Sequence, residues 1–239
     1  MKKSKIIAIC LCVILVVGAV VLLGMGSMGM PGFYHPLNEP KEGQIRVACV
    51  GDSLTYGYTI PNWKTNNYPA QLAEMLGDGY CVNNYGNTGH TVSPEGDKPY
   101  TAKSLYQKSL DFNPDIVIIM LGSNDAKPSN WQSKEYFKEE YKKIIESYLA
   151  LDSQPTVYVG LPTQIFEVNG KILYGFDADL IDGDIKDAAI EIAQELNLAT
   201  IDVNAALRDR VDLFGKDGAH PNAQGAKVFA QTVYDALQV

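Results

Sequence analysis

DIVIIMLG, residues 115–122, holds six consecutive apolar residues, Ile116 to Leu121, between Asp115 and Gly122. A β-strand sends alternate side chains to opposite faces, so a run with no polar position predicts a strand buried on both sides. Such strands belong to parallel sheets covered by helices on each face. The rest of the chain agrees. Short β-branched runs predict strands near 45–50, 80–84, 116–121, 156–161 and 199–203, and stretches of helical period predict helices near 67–76, 100–110, 134–151, 181–196 and 223–237. In the stretch 134–151, Phe137, Tyr141, Ile144, Ile145 and Tyr148 share one stripe at spacings of three and four, while Glu139, Glu140, Lys142 and Lys143 face away. Five β-α repeats of this kind specify an α/β fold, a three-layer α/β/α sandwich around a five-stranded parallel sheet.

The first thirty of the 239 residues are set apart. Lys2, Lys3 and Lys5 precede an uncharged apolar run of 19 residues from Ile6 to Gly24. As a helix, that run would cross nearly all of a ~30 Å hydrocarbon layer. Its length favours an uncleaved signal anchor at 1–30 over a removed signal peptide, whose apolar region is shorter. The lysines then stay inside and the remainder is exported, tethered to the membrane, or secreted if the segment is cleaved. Residues 31–43, PGFYHPLNEPKEG, carry three prolines and two glycines and read as a linker. That leaves 44–239, about 195 residues, as one domain with a sizeable core.

The chain has 20 Lys and Arg against 28 Asp and Glu, net −8; without the three tail lysines the balance is 17 against 28, net −11. Such a surface repels nucleic acid and anionic headgroups, so no nucleic-acid partner is expected and the membrane is met only through the N-terminal segment. Of four cysteines, Cys10 and Cys12 lie in the apolar run, and Cys49 and Cys81 fall in predicted strands as buried thiols. This spacing is no disulfide framework.

Ligands of open parallel sheets sit beyond the carboxyl ends of the strands. Those positions hold Gly51, Asp52 and Ser53, then NYGNTGHT at 84–91, GSND at 122–125, Pro162 and Thr163, and DGAHPN at 217–222. Each alone has a structural explanation: Ser53 as a helix cap, Gly86 and Gly89 as turn glycines, Asn124 in an Asx-turn. Together they supply what acyl transfer requires, namely a nucleophile, a base, a group to hold the base and donors for an oxyanion. The chain has three histidines. His35 lies in the linker, and His90 follows a glycine-rich turn with no carboxylate beside it, reading as a substrate contact or a plain loop residue. His220 is left as the base, and Asp217, three residues earlier, can accept from its Nδ1–H. Ser53 is the candidate nucleophile, and the chemistry calls for neither cofactor nor metal.

GDSLT at 51–55, NYGNTGHT, GSND and DGAHPN, in that order, resemble the four blocks of the SGNH, or GDSL, esterases and lipases. The resemblance spans almost all of 44–239. It implies the flavodoxin-like SGNH-hydrolase fold, with Ser53 as nucleophile and, through its backbone N–H, first oxyanion donor. It also implies Gly89 and the Asn124 amide as further donors, and His220 as base and then acid, oriented by Asp217. The other triad-bearing α/β fold would need G-x-S-x-G, and Thr55 stands where the last glycine belongs.

Tyr56, Tyr58, Trp63, His90, Lys127 and Trp131 are expected around the rim, where rings and polar groups suit sugars; the alternative is that the aromatics cover the core. FEVNGKILYGF, 166–176, reads as a hairpin with Asn169-Gly170 at its tip, either a flap near the cleft or a shield for a sheet edge. No long apolar lid follows. The expectation is a serine esterase removing acetyl-type groups from carbohydrate. The alternatives are a lysophospholipase or other lipid acylhydrolase, an acyltransferase using the same residues, and a glycan-binding domain without turnover.

Overall fold

The computed structural model describes residues 35–237. The run from Ile6 to Gly24, and with it the expected anchor, lies outside them. Among the described residues no helix is long and apolar enough to cross a membrane.

Five parallel strands, β1 (Ile45–Gly51), β2 (Tyr80–Gly86), β3 (Ile116–Met120), β4 (Thr156–Gly160) and β5 (Ala199–Ile201), form one sheet in the order β2-β1-β3-β4-β5. Gly51 pairs with Gly86 on one side and Met120 on the other, so β1, β2 and β3 end level at one rim. Strand order reverses between β1 and β3, the point where open sheets of this order place their ligands.

The main helices are α1 (Ser53–Tyr56), α2 (Tyr68–Leu76), α3 (Ser104–Asp111), α4 (Lys134–Leu149), α5 (Lys186–Glu195) and α6 (Ala223–Leu237). Ala48, Val50, Val117, Ile119 and Val159 point to the face covered by α3, α4 and α5. Val47, Cys49, Ile118 and Met120 point to the face covered by α2 and α6, where the Tyr68 and Phe229 rings stack at 4.0 Å. The unbroken apolar run of β3 thus feeds two cores. The α4 stripe is buried as its spacing predicts, and Ser133 caps the helix by accepting from the Tyr136 N–H at 3.1 Å. Lys134, Lys138 and Lys142 pair across to Glu191 and Glu195 on α5. These pairs are solvated and contribute little beside the buried stripe.

Three boundaries differ from expectation. The helix expected from 100 opens as a single 3₁₀ turn, Tyr100–Ala102, and α3 proper starts at Ser104 because Lys103 is extended. The helix expected from 181 is regular only from Lys186, since Gly183, at φ −106° and ψ −108°, kinks the entry. The stretch expected as a linker is docked from His35 onward. Asn38 exchanges bonds with the Asn83 side chain at 2.8 and 3.0 Å, and Leu37 packs on the core. The sheet ends at β2, and this segment covers an edge that would otherwise stay open.

Candidate active site

Ser53 opens α1 directly after β1. The cap of that helix is Asp52, whose Oδ1 accepts from the Leu54 N–H at 2.9 Å. The Ser53 hydroxyl is therefore not spent on capping; its Oγ lies 2.8 Å from His220 Nε2. A glycine is needed at 86 for this placement, because a Cβ there would stand 2.2 Å from the Tyr56 backbone nitrogen.

His220 stands on the loop before α6, closed by Gly215 N–H to His220 O at 2.7 Å and Asn222 N–H to Leu213 O at 2.8 Å. Asp217 Oδ1 accepts from the N–H groups of Ala219 and His220, each at 3.1 Å, and Oδ2 lies 2.7 Å from His220 Nδ1. Burial acts to raise the Asp217 pKa, but the hydrogen bond and charge of His220 outweigh it and hold the carboxyl down at about 2. An ionised Asp217 requires Nδ1 to carry the proton, which leaves Nε2 with its lone pair toward Ser53. Ser53, His220 and Asp217 form one hydrogen-bonded chain across 167 positions of sequence.

Asn124, in the 3₁₀ turn Ser123–Ala126 after β3, donates from Nδ2 to Asp52 Oδ2 at 3.2 Å and to His90 O at 3.1 Å. Gly89, at φ +83°, immediately precedes His90, and its N–H has no acceptor among the described residues. His90 is buried, with Nδ1 3.0 Å from the carbonyl oxygens of both Asn87 and Thr88. It serves its own loop and offers Asn124 a carbonyl.

Two buried carboxylates at the strand ends, Asp52 and Asp125, were given no role by the sequence reading. Burial pushes Asp52 up to about 6, against the bond from the Leu54 N–H and the charge of His220. It pushes Asp125 up to about 7, against bonds from the Ser93 and Val92 N–H groups at 2.9 Å. An acidic residue one position after β1 and another five positions after β3 were the available signal. Both favour folding most below their unfolded pKa near ~3.9 and lose that contribution as pH rises through their folded values; Asp217 is the reverse, losing its contribution as pH falls toward its own. From these three groups the melting temperature should therefore be highest near about pH 4 and decline as pH rises to about 7. A fluorescence melt that climbs steadily across that range would contradict this.

Residues 49–228 match the model of the GDSL-like lipase/acylhydrolase family. The chain belongs to this family. An acetylxylan esterase of Xylanibacter ruminicola is 33% identical over 216 residues, covering 83% of this GDSL-like chain and 44% of the relative. The chain thus spans less than half the length of that protein. Solved structures share the fold. A carbohydrate acetylesterase from Sinorhizobium meliloti superposes with a TM-score of 0.67 at 20% identity, over 82% of this chain and 99% of the other. An aryl esterase from M. smegmatis gives 0.67 at 20% identity, over 81% and 98%.

The aromatic rim expected of this GDSL-like chain is largely turned inward. Trp63 is 0% and Tyr56 3% exposed; they stack on each other at 4.5 Å and pack with Ile60 and Ala226. Neither presents a face to a sugar, because burying two large rings outweighs exposing them on a polar loop. Trp131 leans on Phe137 at 5.8 Å. Lys127 reaches Asp97 at 3.5 Å and lies 5.7 Å from the Phe176 ring centre. Tyr58 alone of the expected aromatics meets the site, its ring 4.8 Å from that of His220.

The segment 166–176 settles on the site side of this GDSL-like fold. Asn169 and Gly170 have φ +52° and +72°, as a type I′ turn requires, but the ladder is a single bridge between Val168 and Lys171. Phe166 N–H donates to Gly218 O at 2.8 Å, and a Cβ at Gly218, whose φ is +68°, would stand 2.3 Å from Phe166 O. The Tyr174 hydroxyl donates to Asp217 Oδ2 at 3.1 Å. The segment is therefore a flap over the Asp217–His220 loop. Tyr174 and Phe176 were missed because nothing local ties them to residues some forty positions away.

Proposed function

We propose that this chain is a serine esterase that removes acetyl-type groups from O-acylated carbohydrate through an acyl-enzyme. The observation that carries the reading is the chain from Asp217 through His220 to Ser53, at 2.7 and 2.8 Å, beside a cavity of only about 10 Å³. His220 Nε2 takes the Ser53 proton as Oγ attacks the ester carbon, then returns it to the leaving alcohol. Water, activated by the same histidine, releases the acid and restores Ser53. The backbone N–H groups of Ser53 and Gly89 and the Asn124 amide are the oxyanion donors in this reading, with Asn124 sharing protons now given to Asp52 and His90. Asn124→Ala is expected to lower kcat by about 10² to 10³. Turnover close to wild type would remove Asn124 from that role.

Carbohydrate as the alcohol is supported by the names of the acetylxylan and carbohydrate acetylesterase relatives, and a short acyl group by the size of the cavity. The test is a screen of wild type and Ser53→Ala on acetylated xylan, other acetylated glycans and nitrophenyl esters of increasing length. Acetate release from glycan by wild type alone supports the proposal, whereas a rate maximum at about eight carbons or more points to lipid. Export and membrane tethering rest on Lys2 to Lys5 and the run from Ile6 to Gly24. Protease accessibility on intact cells, with retention in the membrane fraction, tests that part.

A further inference from the structure

Ile165 and Phe176 line the cavity beside Ser53, together with Ser123, Thr163 and Ala219. An open hollow of about 540 Å³ is lined by the same two side chains on one part of its surface and by Pro128, Glu167 and Asp179 elsewhere. Ile165 and Phe176 line both spaces. They are the partition between a space for about one water-sized group and a much larger one.

Phe176 is fixed from both sides. Before it, Tyr174 and Gly175 both have positive φ, +62° and +71°, which turns the chain back toward the site, and the Tyr174 hydroxyl is tied to Asp217. After it, the Asp177 N–H donates to Ala126 O at 2.9 Å, and the ring packs against the core. A wall held this way excludes by volume instead of yielding to the ligand.

An ester attacked by Ser53 carries its acyl group on one side of the carbonyl and its alcohol on the other. A cavity of about 10 Å³ admits a methyl group but neither a sugar nor a longer chain. The alcohol must lie toward solvent, and the methyl of an acetyl group fills the cavity. Resting on the esterase reading above, we infer that Phe176, with Ile165, is the residue that sets acyl length: it confines wild type to acetyl esters, and its truncation opens the cavity into the hollow beyond.

The experiment compares kcat/KM for p-nitrophenyl acetate, butyrate and hexanoate in wild type, Phe176→Ala, Phe176→Leu and Ile165→Ala. Because each misplaced methylene is discriminated by roughly 10-fold or more, wild type should favour acetate over butyrate by at least that factor. Phe176→Ala should raise the butyrate-to-acetate ratio by at least about tenfold, with hexanoate following. The milder Phe176→Leu, which preserves an apolar side chain, should shift the ratio the same way by less, and serves if the alanine variant does not fold. A ratio unchanged in all three variants, a uniform loss on every ester, or a wild type indifferent to chain length overturns the inference. Fluorophosphonate labelling of wild type, absent in Ser53→Ala, separates the two levels. Labelling with an unmoved ratio defeats the acyl wall alone, while no labelling and no ester turnover defeats the esterase reading as well.

Discussion

Ser53→Ala is expected to lower kcat on p-nitrophenyl acetate by about 10⁶, His220→Ala by a similar factor, and the double variant by scarcely more than either. The reason is the 2.8 Å contact between Ser53 Oγ and His220 Nε2. A hydroxyl without a base is a poor nucleophile at neutral pH, and a base without the hydroxyl has nothing to deprotonate, so removing one member already removes the function of both. The alternative role of Ser53, capping α1, predicts a different result: a modest loss of stability with turnover intact. Asp52 occupies the capping position, so Ser53→Ala should leave the melting temperature nearly unchanged. Strict additivity of the two single losses would show that Ser53 and His220 do not act as one unit.

The second large effect is expected at Asp217. Its oxygens accept four bonds, from the Ala219 and His220 N–H groups on Oδ1 and from His220 Nδ1 and the Tyr174 hydroxyl on Oδ2. Asn offers only one acceptor oxygen. The two backbone donors cannot rotate away, so the amide oxygen of Asp217→Asn must face them, and its NH₂ must face the imidazole. His220 is then driven to the tautomer with the proton on Nε2, which points at Ser53 and cannot take its proton. A loss of about 10⁴ in kcat with KM little changed is expected. Circular dichroism and a thermal melt should show a folded protein, since the loop keeps its backbone bonds. Turnover within about tenfold of wild type would mean that another group holds the ring.

Much of this architecture was legible because its determinants are local. Short β-branched or wholly apolar runs located each of the five strands and the 3.6-residue period the helices α2 to α6, and the α4 stripe could be named residue by residue. Helix entries were less legible: Lys103 and Gly183 break the backbone where side-chain period continues. The tip of the flap was readable from Asn169-Gly170, whose positive φ is a property of two residues. The direction in which the flap folds was not, because it is decided by the contact of Phe166 with Gly218 and of Tyr174 with Asp217.

The segment YGYTIPNWKTNNYP shows the limit most plainly. Its rings are interspersed with Asn, Lys and Thr, so nothing in their spacing says which of them face water. Tertiary packing turns Tyr56 and Trp63 into a buried stack and leaves Tyr58 against His220. Likewise Asp52 and Ser53 are neighbours, both suited to cap a helix. The choice between them falls to the arrival of His220 at the rim, an event 167 residues away in the chain.

By itself, the sequence determined the sheet and its helical layers, the five strand ends, and which residue types meet there. These follow from side-chain period and backbone preference, both short-range properties. Only the tertiary structure decided which hydroxyl stays free, which aromatics are lost to the core, and how small a space is left beside Ser53. Those outcomes depend on surfaces brought together from distant parts of the chain, where close packing leaves room for about one methyl group and no more.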